Sequence, residues 1–147
     1  MSMNNQSSNE SGIRARHQTL LILWAAQLMA LFGFLLFAVF IFQAKEETNS
    51  TLFWILTGVS LLPVAASFPV KQQLFAQAVE KQSLALVQQG LIIAMALCEA
   101  AGILGMVARA ATGSPYFFLP FIFAALGMLL HFPRREQLMA ASFKNRI

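Results

Sequence analysis

Cysteine occurs only once in this chain, as Cys98, which excludes an internal disulfide framework and the usual multi-cysteine metal motifs. Charge is also scarce: Asp, Glu, Lys and Arg make up 11% of the residues, against about 25% in ordinary soluble domains. Signatures of catalysis are missing as well. The sequence holds no nucleophile–base pair, no phosphate-cradling glycine loop and no metallopeptidase motif, and Ser60 has no histidine near it. No catalytic residue is therefore expected, and the chain reads as non-enzymatic.

What fills the chain instead is apolar bulk. Residues of the hydrophobic set supply 58% of the 147 positions. No charge interrupts Thr19–Ala44, Asn49–Val70, Gln82–Cys98, Ala100–Ala108 or Ala110–Pro133. Runs of this length suit a bilayer, because a helix needs about 20 mainly apolar residues to cross the hydrocarbon. The expected fold is an all-α polytopic membrane protein with four transmembrane helices, over about 19–42, 51–68, 86–108 and 116–132. An Asn- and Ser-rich N-terminus, residues 1–16, is expected to be disordered and cytoplasmic. The four-helix domain then covers 17–133, and residues 134–147 form a cytoplasmic tail.

The first span is too long for a signal-peptide core and reads as a retained anchor. Pro63 lies inside the second span and predicts a kink or a broken last turn. Between Lys71 and Gln82, Leu74, Phe75 and Ala78 recur at helical spacing among glutamines, the pattern of a short interfacial helix. Gly113 and Pro115 mark an outer turn.

The net charge of +4 is explained by topology. Arg14, Arg16, Lys71, Lys81, Arg134, Arg135, Lys144 and Arg146 all fall on one side if the N-terminus is inside, leaving only Lys45 and Arg109 outside. That is the positive-inside asymmetry of a bacterial-type inner membrane protein with both termini cytoplasmic. These basic residues suit anionic lipid headgroups. No basic stripe interleaved with aromatics points to nucleic acid.

Small residues gather on the third span. Ala101, Gly102 and Gly105 allow close backbone approach and mark it as the packing centre. The same helix carries Glu99, the one ionisable residue expected far from both ends of a span. A charge at that depth costs about 2.5 kcal/mol or more, which predicts a protonated carboxyl, a paired one, or a water-filled cavity. Ser60 and Thr57 on the second span are its expected partners, at similar depth.

The run Leu97-Cys98-Glu99-Ala100-Ala101-Gly102-Ile103-Leu104-Gly105-Met106-Val107 resembles the carboxylate helix of the ring-forming, c-type proteolipid subunits of rotary ATPases. By that resemblance Glu99 corresponds to the ion-binding carboxylate and Gly105 to a glycine that closes helix packing. The chain departs from the family in its glycine-poor second span, where Gly58 stands alone, and in carrying a further span after the carboxylate helix.

His17 and His131 fall at the cytoplasmic edge, where anchoring is a simpler use than haem or metal ligation, and no cofactor is specified. The expected function is that of a small accessory, assembly or structural subunit of a larger membrane complex, with Glu99 as a buried protonatable packing residue. The alternative is a proton- or cation-translocating oligomer that uses Glu99. The expected partners are other integral membrane subunits or further copies of the chain, together with anionic lipids.

Overall fold

The computed structural model describes residues 3–42 and 49–142. The expected outer charges Lys45 to Glu47 and the tail cations Lys144 and Arg146 lie outside the described residues. The described chain is all helical, in the order α1 Met3–Ile41, α2 Ser50–Glu80, α3 Leu84–Thr112, α4 Phe118–Leu130 and α5 Arg135–Ser142. Three of these, α1 over its Gly12–Ile41 portion, α2 and α3, are long and apolar enough to cross a membrane.

The expected fourth span is shorter than the reading of 116–132 required. With 13 residues, α4 covers about 20 Å at 1.5 Å per residue, against about 30 Å of hydrocarbon. Proline explains both boundaries. Pro120 stands in the first turn, where a missing N–H costs nothing. Pro133 disfavours helical backbone at the residue before it, and the helix stops at Leu130.

The second span and the interfacial helix are one element. α2 runs unbroken through Pro63 and Pro69 to Glu80. A proline removes a backbone bond, and packing against a neighbour helix offsets that loss. The buried positions of α2 are Phe53, Thr57, Ser60, Ser67 and Ala78, with Val64, Lys71 and Leu74 partly buried between them. Alternating spacings of four and three make this a single stripe, the geometry of a coiled-coil seam. At the other end of the chain α1 reaches back to Met3, into the segment expected to be disordered. No proline precedes Pro63, and extending a formed helix is easier than starting one.

The α2–α3 hairpin turns at Lys81–Ser83. Gln82 takes the left-handed conformation (φ 50°), and the Ser83 N–H donates to Ala78 O at 3.0 Å. This is a Schellman closure with glutamine in the place glycine usually fills. Gly90 then lies against Leu74 and Phe75, while Cys98 lies against Ser67. Both contacts belong to one antiparallel register.

α3 packs against all four other helices. The core has two layers. One joins Ile13 and Leu20 of α1, Ala78 of α2, Val87, Leu91 and Met95 of α3, and Leu138 and Ala141 of α5. The other joins Leu31 and Ala38 of α1, Cys98 and Ala101 of α3, and Phe121, Ala124 and Met128 of α4. Close approach at the second layer depends on three glycines. A Cβ on Gly102 would collide with Leu31, one on Gly105 would lie 2.9 Å from Pro120 Cβ, and one on Gly127 would lie 2.7 Å from Cys98 Sγ.

Gly105→Leu is therefore expected to lower thermal stability in detergent by several degrees. Phe40→Leu should be close to neutral, since Phe40 is 78% exposed on the lipid side of α1. Equal melting temperatures for Gly105→Leu and the parent would reject the close α3–α4 contact.

Candidate functional site

Among the described residues the buried ionisable groups are Arg109 and His131, and Glu99 is not one of them. Glu99 is half buried on the flank of α3, one position past the fully buried Cys98. It makes no hydrogen bond or ion pair within the described residues. The expected partners are at another level. In the hairpin register Ser60 is level with Gly105 and Thr57 with Ala108, roughly 9 and 13 Å along α3 from Glu99. Ser60 Oγ donates instead to Thr57 O at 2.6 Å, and Thr57 Oγ1 is buried without a partner. The reading of Glu99 as a buried packing carboxyl, and the ion-carrying alternative built on it, are corrected accordingly. Both depend on a hairpin bend before the Lys71–Gln82 segment, whereas α2 runs through that segment to Glu80 and the chain turns at Lys81–Ser83. Ala101, Gly102 and Gly105 are all buried on α3.

Arg109 is a clamp rather than an exposed loop cation. It lies in the last turn of α3 and is 8% exposed. Its Nε and Nη2 donate to Phe42 O at 3.2 and 3.0 Å, which ties the end of α1 to α3. Its Nη1 donates to Gly113 O at 2.8 Å and Ser114 O at 3.1 Å. The guanidinium also stands 4.8 Å from the centre of the Phe117 ring. A cation at a helix C-terminus is favoured by the helix dipole, and the planar fork lets one side chain serve three carbonyls.

At the other end of the second layer a polar cluster surrounds His131, which is 1% exposed and follows the last residue of α4. Its Nε2 is 2.7 Å from Ser67 Oγ. Ser67 gives its only hydroxyl proton to Val64 O at 2.6 Å, so the imidazole N–H lies on Nε2 and donates to Ser67. Cys98 Sγ points at the same oxygen from 3.8 Å. The other ring nitrogen, Nδ1, is then a bare acceptor, buried and without a partner. Helix α1 secures the end of α4 from the opposite side. Trp24 Nε1 donates to Met128 O at 2.9 Å, and His17 Nε2 donates to Pro133 O at 3.2 Å.

His131 also forms part of the wall of a cavity of about 370 Å³, with Phe68, Lys71, Gln72, Phe75, Leu130 and Gln137. Gln137 Oε1 is a second buried acceptor with no donor. Lys71 lies with its Nζ 5.4 Å from the centre of the Phe75 ring. The site thus combines a cation, amide groups and an unpaired imidazole nitrogen with two aromatic walls. Such an arrangement can bind a polar, negatively charged group. Among the described residues no group of three or more His, Cys, Asp or Glu side chains is arranged for a metal ion.

In the sequence Lys71 reads only as one of several headgroup cations and His131 as an interfacial anchor, and neither Ser67 nor Gln137 stands out. The signal was present for Ser67. The four-and-three spacing from Phe53 through Thr57, Ser60 and Val64 reaches Ser67 and continues to Lys71, and it assigns both to the α3-facing stripe. For His131 no local signal exists, because its burial depends on where α4 ends against α2.

Comparison with protein-family models, with curated proteins and with solved structures finds no match. No relative found there links the chain to the proteolipid subunits that the Glu99 helix resembles.

Two outcomes follow from this geometry. Burial first, and then the charge of Lys71, push His131 down from 6.5 to about 4. The folded protein keeps the ring neutral while the unfolded chain gains a proton below about 6.5. This contribution to stability is therefore complete above pH 6.5 and is lost as pH falls toward 4, by about 2 kcal/mol at pH 5. The drop in melting temperature between pH 7 and pH 5 should shrink in His131→Gln, and an unchanged drop would refute a buried neutral imidazole. Separately, Arg109→Met should cost about 2 kcal/mol or more, because charged hydrogen bonds to buried carbonyls are lost. Arg109→Lys should recover only part of that stability, as read by thermal unfolding in detergent.

Proposed function

We propose that the protein is a four-span protein of a bacterial-type inner membrane, with both ends cytoplasmic, that works by binding rather than by catalysis. Its working part is the Lys71–His131–Gln137 cavity at the cytoplasmic edge. The observation that carries this reading is His131, a buried base with one nitrogen unpaired, in the wall of a cavity that also holds a lysine. Unpaired buried polar groups are costly, and a site that keeps them has a use for them.

The orientation is supported by where the described cations lie. Arg14, Arg16, Lys71, Lys81, Arg134 and Arg135 belong to segments that meet around the Ile13–Ala78–Val87–Leu138 layer, whereas Arg109 is at the opposite end of α3. That layer extends beyond Lys71 and suits the headgroup region and the cytoplasm, while the Leu31–Cys98–Phe121 layer suits the hydrocarbon. In this frame the short α4 crosses most of the bilayer, from the Arg109 turn to His131. Flanking residues or a local thinning of lipid make up the difference in length.

Single cysteines in a Cys98→Ala background test the arrangement. Gln72 is exposed at the mouth of the cavity, and Tyr116 is exposed at the opposite end. A membrane-impermeant maleimide should modify Gln72→Cys only in inside-out vesicles and Tyr116→Cys only in intact cells. Labelling of both from one side would reject the four-span arrangement. A Gln72→Cys that reacts from neither side would reject a cavity open to the cytoplasm.

A further inference from the structure

We propose that the Lys71–His131–Gln137 cavity binds a hydroxyl-bearing glycerophosphate group, presented as the headgroup of an anionic phospholipid of the cytoplasmic leaflet. This deepens the reading of the cavity as a cytoplasm-facing binding site and rests on it.

Two deficits in the residues that line the cavity define the ligand. The first is of negative charge. Lys71 has Arg134 near enough to repel it, and no carboxylate forms an ion pair with either among the described residues. Two like charges held together without an acid are relieved by an anion, and a phosphate diester offers several oxygens to both. The second deficit is of donors. His131 Nδ1 and Gln137 Oε1 are both acceptors, both buried, and both without a partner. An inorganic anion supplies no donor at neutral pH beyond a single phosphate hydroxyl, whereas the hydroxyls of a glycerol headgroup supply two.

Other headgroups fit less well. Choline brings a positive charge and no donor, so it answers neither deficit. Ethanolamine brings donors, but its ammonium would face Lys71 and Arg134. The rest of the lining is apolar, formed by Phe68, Phe75 and Leu130, and it suits the glycerol backbone and the first methylenes of an acyl chain. The volume of about 370 Å³ lies within the roughly 300–1,000 Å³ typical of small-molecule sites. The depth fits as well. Lys71 stands one turn of α2 beyond Ser67, at the junction of the two core layers, where headgroup phosphates lie in the proposed orientation.

The test uses the full chain in nanodiscs of phosphatidylcholine that contain a minor fraction of phosphatidylglycerol, with native mass spectrometry to count retained lipid. The expected result is one phosphatidylglycerol held in preference to phosphatidylcholine by about tenfold, which corresponds to about 1.4 kcal/mol. Lys71→Gln should abolish that preference. Gln137→Leu, which leaves every charge in place, should reduce it severalfold. Arg135→Gln, an exposed cation outside the cavity, should leave it unchanged. Phosphatidylethanol, an anionic diester without a headgroup hydroxyl, should bind more weakly than phosphatidylglycerol.

A thermal shift with free glycerol 3-phosphate in detergent separates the two sources of the same chemistry. A saturable shift lost in Lys71→Gln, without lipid retention, would keep the glycerophosphate site and overturn its assignment to lipid. No preference for phosphatidylglycerol and no such shift would overturn the proposal. So would equal losses in Lys71→Gln and Arg135→Gln, since these would show only general attraction of surface charge. Phosphatidylethanol retained as well as phosphatidylglycerol would overturn the donor argument. If Gln72→Cys is still labelled from the cytoplasm while neither glycerophosphate form binds, the ligand is rejected and the open cavity stands.

Discussion

The pairing of α2 with α3 fixes everything else in this molecule. Water drives apolar surfaces together in soluble proteins, but lipid tails are as apolar as leucine, so helices in a bilayer are held by close packing and by polar contacts. The pairing here uses both. The α2 stripe presents Thr57, Ser60 and Ser67; the hydroxyls of Ser60 and Ser67 bond to their own helix, and the small size of all three lets the backbones approach. α3 answers with Gly90, Ala94, Cys98 and Ala101. Because the turn at Lys81–Ser83 is short and closed by its own backbone bonds, the register of this hairpin has little room to slip. A shift by one helical turn would separate Cys98 from Ser67 and leave His131 without its acceptor.

α1 and α4 then attach to a surface already made, and each is held by bonds at its ends. The Arg109 guanidinium joins the end of α1 to the α3–α4 turn at one boundary, and Trp24 and His17 join α1 to the end of α4 at the other. These contacts satisfy carbonyls that a helix terminus leaves open, a requirement that is severe at the edge of a bilayer. The middle of α1, by contrast, exposes Phe32, Phe37 and Phe40. Its position is determined by polar contacts at the two ends and by Ile13, Leu20, Leu31 and Ala38, which are buried in the two core layers, with Leu31 resting over Gly102.

How much of this was legible in the sequence depends on the length scale of the signal. Long uncharged runs made the three long helices plain, and the small residues Ala101, Gly102 and Gly105 marked the helix that contacts all others. Boundaries were harder. Among Gln72, Gln73 and Gln77, the helical spacing of Leu74, Phe75 and Ala78 reads as one face of a separate interfacial helix, yet the four-and-three stripe of α2 runs through this stretch without a break. The position of the bend decides the site: a bend before Lys71 would bring Ser60 and Thr57 toward Glu99, whereas the turn at Lys81–Ser83 brings Ser67 level with Cys98. An ionisable residue in an apolar run also draws attention by its type, but burial depends on a rotation of about 100° per residue. Cys98 points into the bundle, and its neighbour Glu99 lies on the flank.

The same reasoning explains why the polar chemistry collects where it does. A membrane bundle can keep unpaired acceptors only where their cost is bounded, near the headgroups, where water or a polar ligand can reach them. In the proposed orientation the His131 end of the bundle lies at that level because α4 is short. Had α4 continued one more turn, the imidazole would have been replaced at this level by helix interior, and Ser67 would have faced an apolar side chain. Pro133 prevents that continuation, and α5 folds back to bring Gln137 to the cavity that the early stop leaves open. At the stop the last carbonyls of α4 accept from the His131 and Phe132 N–H groups, and Met128 O accepts a further bond from Trp24 of α1. The shortness that sets α4 apart from a full-length span is thus the feature that makes the cavity. Hydrocarbon thickness, proline and the α2–α3 register together place one neutral imidazole, one lysine and one amide around a single space.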